Sequence, residues 1–298
     1  MQVNNKKIDI SVILVNYNTK KMTSECIDSI ISHTSGVSYE IILVDNNSTD
    51  GSKEFFSNDK RVTYIYNEKN GGFGYGNNIG MEHSHGKYIF LLNTDTLLIN
   101  NAIKEFFDYA ENYKYNTVYG CWLVNKEGKD ICSYYNFPAF TFKEFWNKHI
   151  LGKDKQDIDH KEKEVDVIVG ADMFIPRKVI STIGGFDTNI FLHGEEGEFQ
   201  YRMKENNIRR MLIPQPKIIH LVNGSGIIRK INMKGHFIFL KRHMAHWKYY
   251  LARAYYFLIY FCLILKNHNI GWTSNVWKEM TQKIDLHSGS TNVNLPTE

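Results

Sequence analysis

Little in this chain is built for cross-linking, export or membrane crossing. Its 298 residues hold four cysteines, Cys26, Cys121, Cys132 and Cys262, scattered and with no CxxC pair. That spacing excludes a disulfide framework and reads as free buried thiols in a reducing compartment. No secretory leader opens the chain: the apolar run in MQVNNKKIDISVILVNYN is short, and no small-residue cleavage site follows it. Sequons such as Asn46-Asn47-Ser48 then carry no weight, and the expected location is cytoplasmic. The longest apolar run, residues 254–265 (AYYFLIYFCLIL), falls short of the roughly 20 residues that span a bilayer. It makes either a core helix or an interfacial one. A net charge of only +4 excludes a general nucleic-acid binder. No internal repeat is visible.

What is present is a globular composition, 43% hydrophobic and 23% charged, rich in Tyr and Phe with 18 of each. Residues 9–15 (DISVILV) and 39–44 (YEIILV) are near-continuous apolar runs, the mark of strands covered on both faces. Two further strands are expected at 62–66 and 87–92. Helical spacing fills the gaps, over 20–32 (Met22, Cys26, Ile27, Ile30 and Ile31 on one side), 52–56 and 75–84, and again over 100–113. Four such alternations predict a mostly parallel, three-layer α/β sheet. Beyond it, 118–124 and 130–135 read as strands near an antiparallel edge, and 152–164 as a charged, mobile connector. A single strand-like segment is expected over 165–175, a helix over 199–206, and alternation over 213–220. From residue 227 the chain turns aromatic and basic, helical to about Leu265, and 287–298 reads as disordered.

Sheets of this kind place ligands at the carboxyl ends of their strands. Here those ends carry NYN (16–18), DNNSTD (45–50), NEKNGGFGYGNN (67–78) and NTD (93–95). Asp95 ends a buried strand, where an unpaired carboxylate is costly. Asp45 ends another on the same edge, and Glu195, Glu196 and Glu198 form a third acidic cluster. Converging carboxylates repel one another, and a divalent cation, Mg2+ or Mn2+, relieves the repulsion. Such ions take one or two carboxylates and complete their shell with substrate phosphates. Asp95 is therefore read as the holder of a metal whose other ligands are a diphosphate.

The series SVILVNYN, EIILVDNNSTDGS, NGGFGYGNNIG, YIFLLNTDTLL, GADMFIPR, GGFD and FLHGEEGEFQYR resembles the family 2 glycosyltransferases. These are inverting enzymes of the GT-A nucleotide-diphospho-sugar transferase fold, and the spacing is similar to the rhamnosyltransferase-like branch that builds bacterial surface polysaccharides. The likeness covers about residues 8–226. It implies a catalytic domain over 1–226, with a nucleotide-sugar half to about 98 and an acceptor half over 99–226, followed by the helical extension 227–298. NTD stands where the family has its DxD metal motif, which gives the metal to Asp95 and leaves Asn93 beside the donor. His220 stands where several GT-A enzymes complete the metal shell. Asp45 takes the place of the Asp that contacts the base, and a carboxylate can accept the N3–H of uracil or thymine. Tyr17 and Asn18, after the first strand, and Asn70, Gly72 and Asn78, in the glycine-rich loop, line the nucleotide. Gly170 and Ala171 match the family's GA step beside the sugar, and Asp172 follows them. The loop's overlap with GxGxxG lacks an acidic residue at the right place for a nicotinamide site.

In the family an Glu-Asp pair opens a helix and its Asp is the general base. This chain reads Glu195-Glu196-Gly197-Glu198. Glu196 takes the base position, one methylene longer than Asp, with Glu195 as the other candidate; Glu198, Phe186 and Asp187 fall on the acceptor side. The implied activity is metal-dependent, inverting transfer from dTDP-rhamnose or a UDP-hexose to a hydroxyl of a glycan or lipid-linked acceptor. A sugar nucleotidyltransferase is the alternative, although NYNTKK lacks the glycines that its first loop would want; a catalytically silent sugar-nucleotide-binding subunit is another. The tail interleaves Lys230, Lys234, Lys241, Arg242, Lys248 and Arg253 with Trp247, Tyr249, Tyr250, Tyr255, Tyr256 and Phe257. That pattern resembles an interfacial helix at the inner face of a membrane. Packing on the catalytic domain, or on a second subunit in a homodimer, is the other reading. No nucleic-acid partner is expected.

Overall fold

The computed structural model describes residues 7–113, 116–137, 157–221, 233–267, 283–288 and 290–296. The expected domain boundary at 226 and 227 lies outside these residues, with Lys230 and the side chains of Tyr256 and Cys262.

Strand β1 (Ile10–Asn16) lies between β2 (Tyr39–Asp45) and β4 (Tyr88–Asn93), and β3 (Thr63–Tyr66) extends the sheet beyond β2; all four are parallel. On the far side of β4 the sheet continues through β10 (Asp172–Pro176), β6 (Thr117–Cys121), β11 (Arg209–Ile213) and β8 (Lys163–Glu164). Strand β10 runs antiparallel to both neighbours, and β6 and β11 are parallel to each other. Two small sheets sit beside this one. One pairs β5 (Thr96–Leu98) with β12 (Ile218–His220), the other β7 (Tyr134–Tyr135) with β9 (Val167–Ile168).

Alternate strand residues feed two cores because successive side chains point to opposite faces. Ile10, Val12 and Leu14 of β1, with Phe90 and Leu92 of β4, pack against Cys26, Ile27 and Ile30 of α1 (Lys20–His33) and Phe106 of α4 (Ala102–Tyr113). Phe56 of α2 (Ser52–Phe56) joins that face. Ile13, Ile89 and Leu91 point the other way. They meet Met81 of α3 (Phe73–Glu82), Val179 and Ile180 of α5 (Arg177–Ile183), and Phe199 and Met203 of α6 (Glu195–Glu205). Each such side chain contributes roughly 1.5–3 kcal/mol on leaving water, so both strand faces must be apolar. That is why these strands read as unbroken runs in the sequence.

Several expectations change. The region expected at an antiparallel edge is interior, since β6 lies between β10 and β11. Residues 165–175 are not one strand: they break at Gly170-Ala171 into β9 and β10, which belong to different sheets. The helix expected from 199 starts at Glu195, so the acidic cluster is its first turn. Cys132 is exposed, unlike Cys26 and Cys121. The described part of the terminal segment is not loose. Gly185 and Thr188 donate backbone hydrogen bonds to Thr291 and Ser290, and Val293 and Leu295 pack on the second core. Its apolar residues were too sparse to signal this; the Gly184-Gly185 turn, where no side chain intervenes, receives the strand-like backbone.

A third cluster joins helices α7 (Met233–His243) and α8 (His246–Asn267) to the domain, through Phe237, Phe239, Leu240, Tyr249 and Ile284. No helix among the described residues is long and apolar enough to cross a membrane.

Two buried side-chain amides act as clamps. Asn78 Nδ2 donates to Phe186 O at 2.9 Å, and its Oδ1 accepts from Phe186 N at 2.8 Å. Gln200 does the same with Ile168, at 2.7 and 2.8 Å. Asn78→Ala would strand both Phe186 groups away from water. A loss of roughly 2–4 kcal/mol is expected, read as a lower urea midpoint at unchanged slope; an unmoved midpoint would show that the clamp holds nothing.

Candidate active site

Asp95 follows β4 and precedes β5. Pairing of β5 with β12 sets His220 opposite Thr96, and Leu221 N donates to Asp95 O at 2.7 Å. The side chains follow: His220 Nε2 stands 3.2 Å from Asp95 Oδ2. Both keep some exposure, 12% and 21% respectively. This spacing fits cis ligands of one octahedral ion, which at metal–ligand distances of about 2.1 Å lie about 3 Å apart. Among the described residues no three His, Cys, Asp or Glu side chains gather around one point. One carboxylate and one imidazole therefore fit a Mg2+ or Mn2+ that takes its remaining oxygens from a ligand.

The other acids divide sharply. Asp45 is fully buried, and its carboxylate accepts from Ser48 N at 2.8 Å, Tyr64 Oη at 3.0 Å and Asn16 Nδ2 at 3.3 Å. Here it braces the 45–50 loop. Asn18, at φ 56°, donates its N–H to Ser48 Oγ and accepts from Thr49 N, which ties the first loop to the second. Tyr17 beside it is half exposed. Asn70 Oδ1 accepts from Gly72 N, a loop-closing contact. Gly72 has φ +91°, and a Cβ there would lie 2.0 Å from Phe191 O, so only glycine fits. Asn78 is committed to Phe186, and Phe186 itself is core, fully buried against Phe73 and Phe199. Both side chains are thus engaged within the protein.

Asp187 and Glu198 also turn inward. Arg242 Nη2 is 2.5 Å from Asp187 Oδ2, while Asn189 donates to Oδ1. Glu198 takes Arg202 at 2.9 Å and His243 Nε2 at 3.1 Å. Burial pushes both carboxyls up, but their partners more than offset it and leave them below the usual range. Through Arg242 and His243 these acids strap α7 to α6 and to the turn before it, and both partners are remote in sequence.

Glu195 and Glu196 remain. Gln200 fixes their helix to β9, and Gly194 at φ +103° turns the chain into it. Glu195 is 3% exposed; burial first, and then the charge of Glu196, raises its carboxyl well above the normal range. Oε2 of each is buried without a hydrogen-bond partner among the described residues. Tyr135 was missed by the sequence reading. Burial, then the charges of Glu196 and Glu195, hold its phenol far above 10, and it hydrogen-bonds to Glu196.

The GA step joins the two groups of acids. Asn93 N donates to Ala171 O at 3.0 Å, just before Asp95. Ala171 itself is core. A Cβ on Gly170 would lie 3.5 Å from the Phe73 ring and 3.7 Å from Glu196 Cβ. The step thus touches the glycine-rich loop and the helix bearing Glu196 at Gly170, and the strand end leading to Asp95 at Ala171. Phe191 and Leu192, 50% and 40% exposed, form a rim that sequence reasoning also missed; Phe73 N donates to Phe191 O.

Comparison with known proteins converges on one class. The family described as Glycosyl transferase family 2 matches residues 11–184, and the chain belongs to it. It is similar to the low-salt glycan biosynthesis hexosyltransferase of Haloferax volcanii, 29% identical over 224 residues, or 74% of this chain and 68% of that one. Glycosyltransferase GlyG of Streptococcus pneumoniae is 31% identical over 137 residues, 41% of this chain and 45% of that one. Among solved structures, GalNAc-T7 with UDP, GalNAc and Mn2+ matches with TM-score 0.59 at 14% identity, over 78% of this chain and 48% of that one. TarS of S. aureus matches with TM-score 0.55 at 16% identity, over 78% of this chain and 38% of that one. At these identities the likeness to both structures is one of fold. The chain spans under half the length of GlyG and of both structural neighbours.

Asp172 supplies a test of the site's electrostatics. It is fully buried, with Oδ2 accepting from Cys121 N at 2.6 Å. Burial raises its carboxyl to about 7, against smaller downward pulls from Cys121 and His220. An acid raised on folding binds more protons in the native state, so stability is lost as pH climbs from about 4 to about 7, by up to about 1.4 kcal/mol per pH unit. In Asp172→Asn, where the amide oxygen can still accept from Cys121, the fall in Tm across that window should shrink, measured with chelator present. An unchanged fall would remove Asp172 as its source.

Proposed function

We propose that this glycosyltransferase inverts configuration in one step, moving a sugar from a nucleoside-diphosphate donor to an acceptor hydroxyl in surface polysaccharide assembly. The observation that carries the reading is that the Gly170-Ala171 step touches both the helix bearing Glu196 and, through Asn93, the strand end that leads to the Asp95–His220 pair. The nucleotide lies across the strand ends, with Tyr17 offered to the base and the glycine-rich loop close to the donor. Asp95 and His220 would hold Mg2+ or Mn2+, which when bound supplies charge to the departing diphosphate.

Of the paired glutamates, Glu196 is the base. Glu195 is enclosed and its carboxyl is raised, whereas Glu196 is only half-buried and has a tyrosine hydroxyl to fix its rotamer. Its carboxylate accepts the proton as the acceptor oxygen attacks the anomeric carbon from the face opposite the diphosphate. The exposed Phe191 and Leu192 beside this helix favour an acceptor with an apolar part, as in a lipid-linked glycan. The donor is dTDP-rhamnose or a UDP-hexose.

Glu196→Gln should lower kcat by about 10^2–10^4-fold while a donor nucleotide still raises Tm. Glu195→Gln, which replaces a protonated acid by an amide of the same shape, should cost far less. The reverse order would move the base to Glu195, and full activity in both would end the acid–base assignment. Asp95→Asn should abolish the part of a UDP- or dTDP-induced Tm rise that depends on Mn2+; a rise equal to wild type would take Asp95 out of metal binding.

A further inference from the structure

Charge is distributed unevenly along the chain. Between Glu205 and Glu279 there are twelve Lys and Arg residues and no Asp or Glu. The remaining residues carry the other 24 basic side chains against all 32 acidic ones, so the rest of the molecule is net acidic. Within the basic stretch, α8 faces two ways. Tyr249 is buried in the third core cluster, with Ala252 and Phe257 packed against it. On the opposite stripe Trp247, Leu251 and Leu258 are 63%, 62% and 60% exposed, and Tyr250 and Ala254 lie on the same side. Positions 247, 250, 251, 254 and 258 make one helical stripe. Lys248, also exposed, flanks it.

We infer that this face of α8 rests on an anionic lipid bilayer. Trp, Tyr and Leu enter the headgroup region while the acid-free stretch meets the lipid phosphates. No described helix can cross a membrane, so α8 lies along the surface. Residues 233–267 of α7 and α8 carry Lys234, Lys241, Arg242, Lys248, Arg253 and Lys266 and no acid, and Lys234 and Lys248 are exposed, so this helical pair is net-basic on an otherwise acidic molecule and complements such a surface. The helix preceding α8 is tied to the helix that carries the proposed base and to the turn before it. Its Gly235 packs on His193 O, next to Gly194, and its Arg242 and His243 hold Asp187 and Glu198. Docking would bring the site to the membrane, which deepens the lipid-linked acceptor reading and rests on it for its purpose, though not for the binding itself.

The test is flotation of the full chain with phosphatidylcholine vesicles, with and without phosphatidylglycerol. Wild type should float with the anionic vesicles, less with pure phosphatidylcholine, and less as salt is raised. The double variant Trp247→Glu, Leu251→Glu should partition on the order of tenfold less or weaker still, with Tm and the donor-induced Tm rise retained. A milder Trp247→Ser variant serves if the double one does not fold. Wild type remaining with the lipid-free fraction would overturn the proposal, as would variants that float equally. A dimer in light scattering that the variants convert to monomer, without lipid binding, would assign the face to a second copy instead. The donor-induced shift reports on the glycosyltransferase reading separately, so either can fail alone.

Discussion

A carboxylate taken out of water must find a partner or a proton, and this constraint sorts every acid at the open edge of the sheet. Asp45 has three donors. Asp187 and Glu198 have arginines and a histidine. Asp172 and Glu195 have burial strong enough to favour the proton. After these solutions are counted, Asp95 and Glu196 are left with an oxygen or a face that the described protein does not neutralise by itself. Asp95 has a histidine, whose own electron pair suits a cation; Glu196 has a hydroxyl donor and, on a half-buried side chain, one oxygen without a partner among the described residues. The architecture is thus a background of satisfied acids against which two stand out.

Much of the fold was legible because the parallel strands are buried on both faces and leave unbroken apolar runs. Residues 10–16, 39–45 and 88–93 announce themselves in this way. Legibility ends where pairing is long-range. Nothing local in 165–175 says that Gly170-Ala171 divides two sheets, since both halves carry the same β-forming residues. Nor does the sequence show β5 and β12 meeting, the contact that brings His220 to Asp95 across more than a hundred residues; there only the family likeness pointed to the histidine. The expected site residues that turn inward share one feature. Asn78, Asp187 and Glu198 are polar residues near the right elements, but their partners, Phe186 backbone, Arg242, Arg202 and His243, decide that they face inward. Residue type and spacing do not encode which way a side chain turns.

Precision at the acid pair comes from supports that the sequence gives no reason to single out. The clamp of Gln200 on Ile168 ties α6 to β9, and that of Asn78 on Phe186 ties α3 to the turn before α6. Each closes two backbone groups at once, so slipping by a residue would expose both. A helix held in this way can carry its first turn at a fixed distance from the strand ends, which a loop-borne acid could not do. The terminal segment adds a further layer, laid over Gly184-Gly185 and bonded through Ser290 to Arg242.

Replacing the usual Asp by Glu at position 196 lengthens the reach of the base, and a longer side chain has one more rotor to fix. Tyr135 answers that need. Its phenol stays protonated because burial and then the two neighbouring carboxyls oppose its ionisation, so it keeps a proton to share in its hydrogen bond with Glu196. Glu195 completes the arrangement from the other side. Two adjacent anions in a partly closed site are costly, and burial together with the charge of Glu196 raises the Glu195 carboxyl well above its usual range. Enclosure rather than residue type thus distinguishes the two glutamates, and the proposed division of roles between them follows from it.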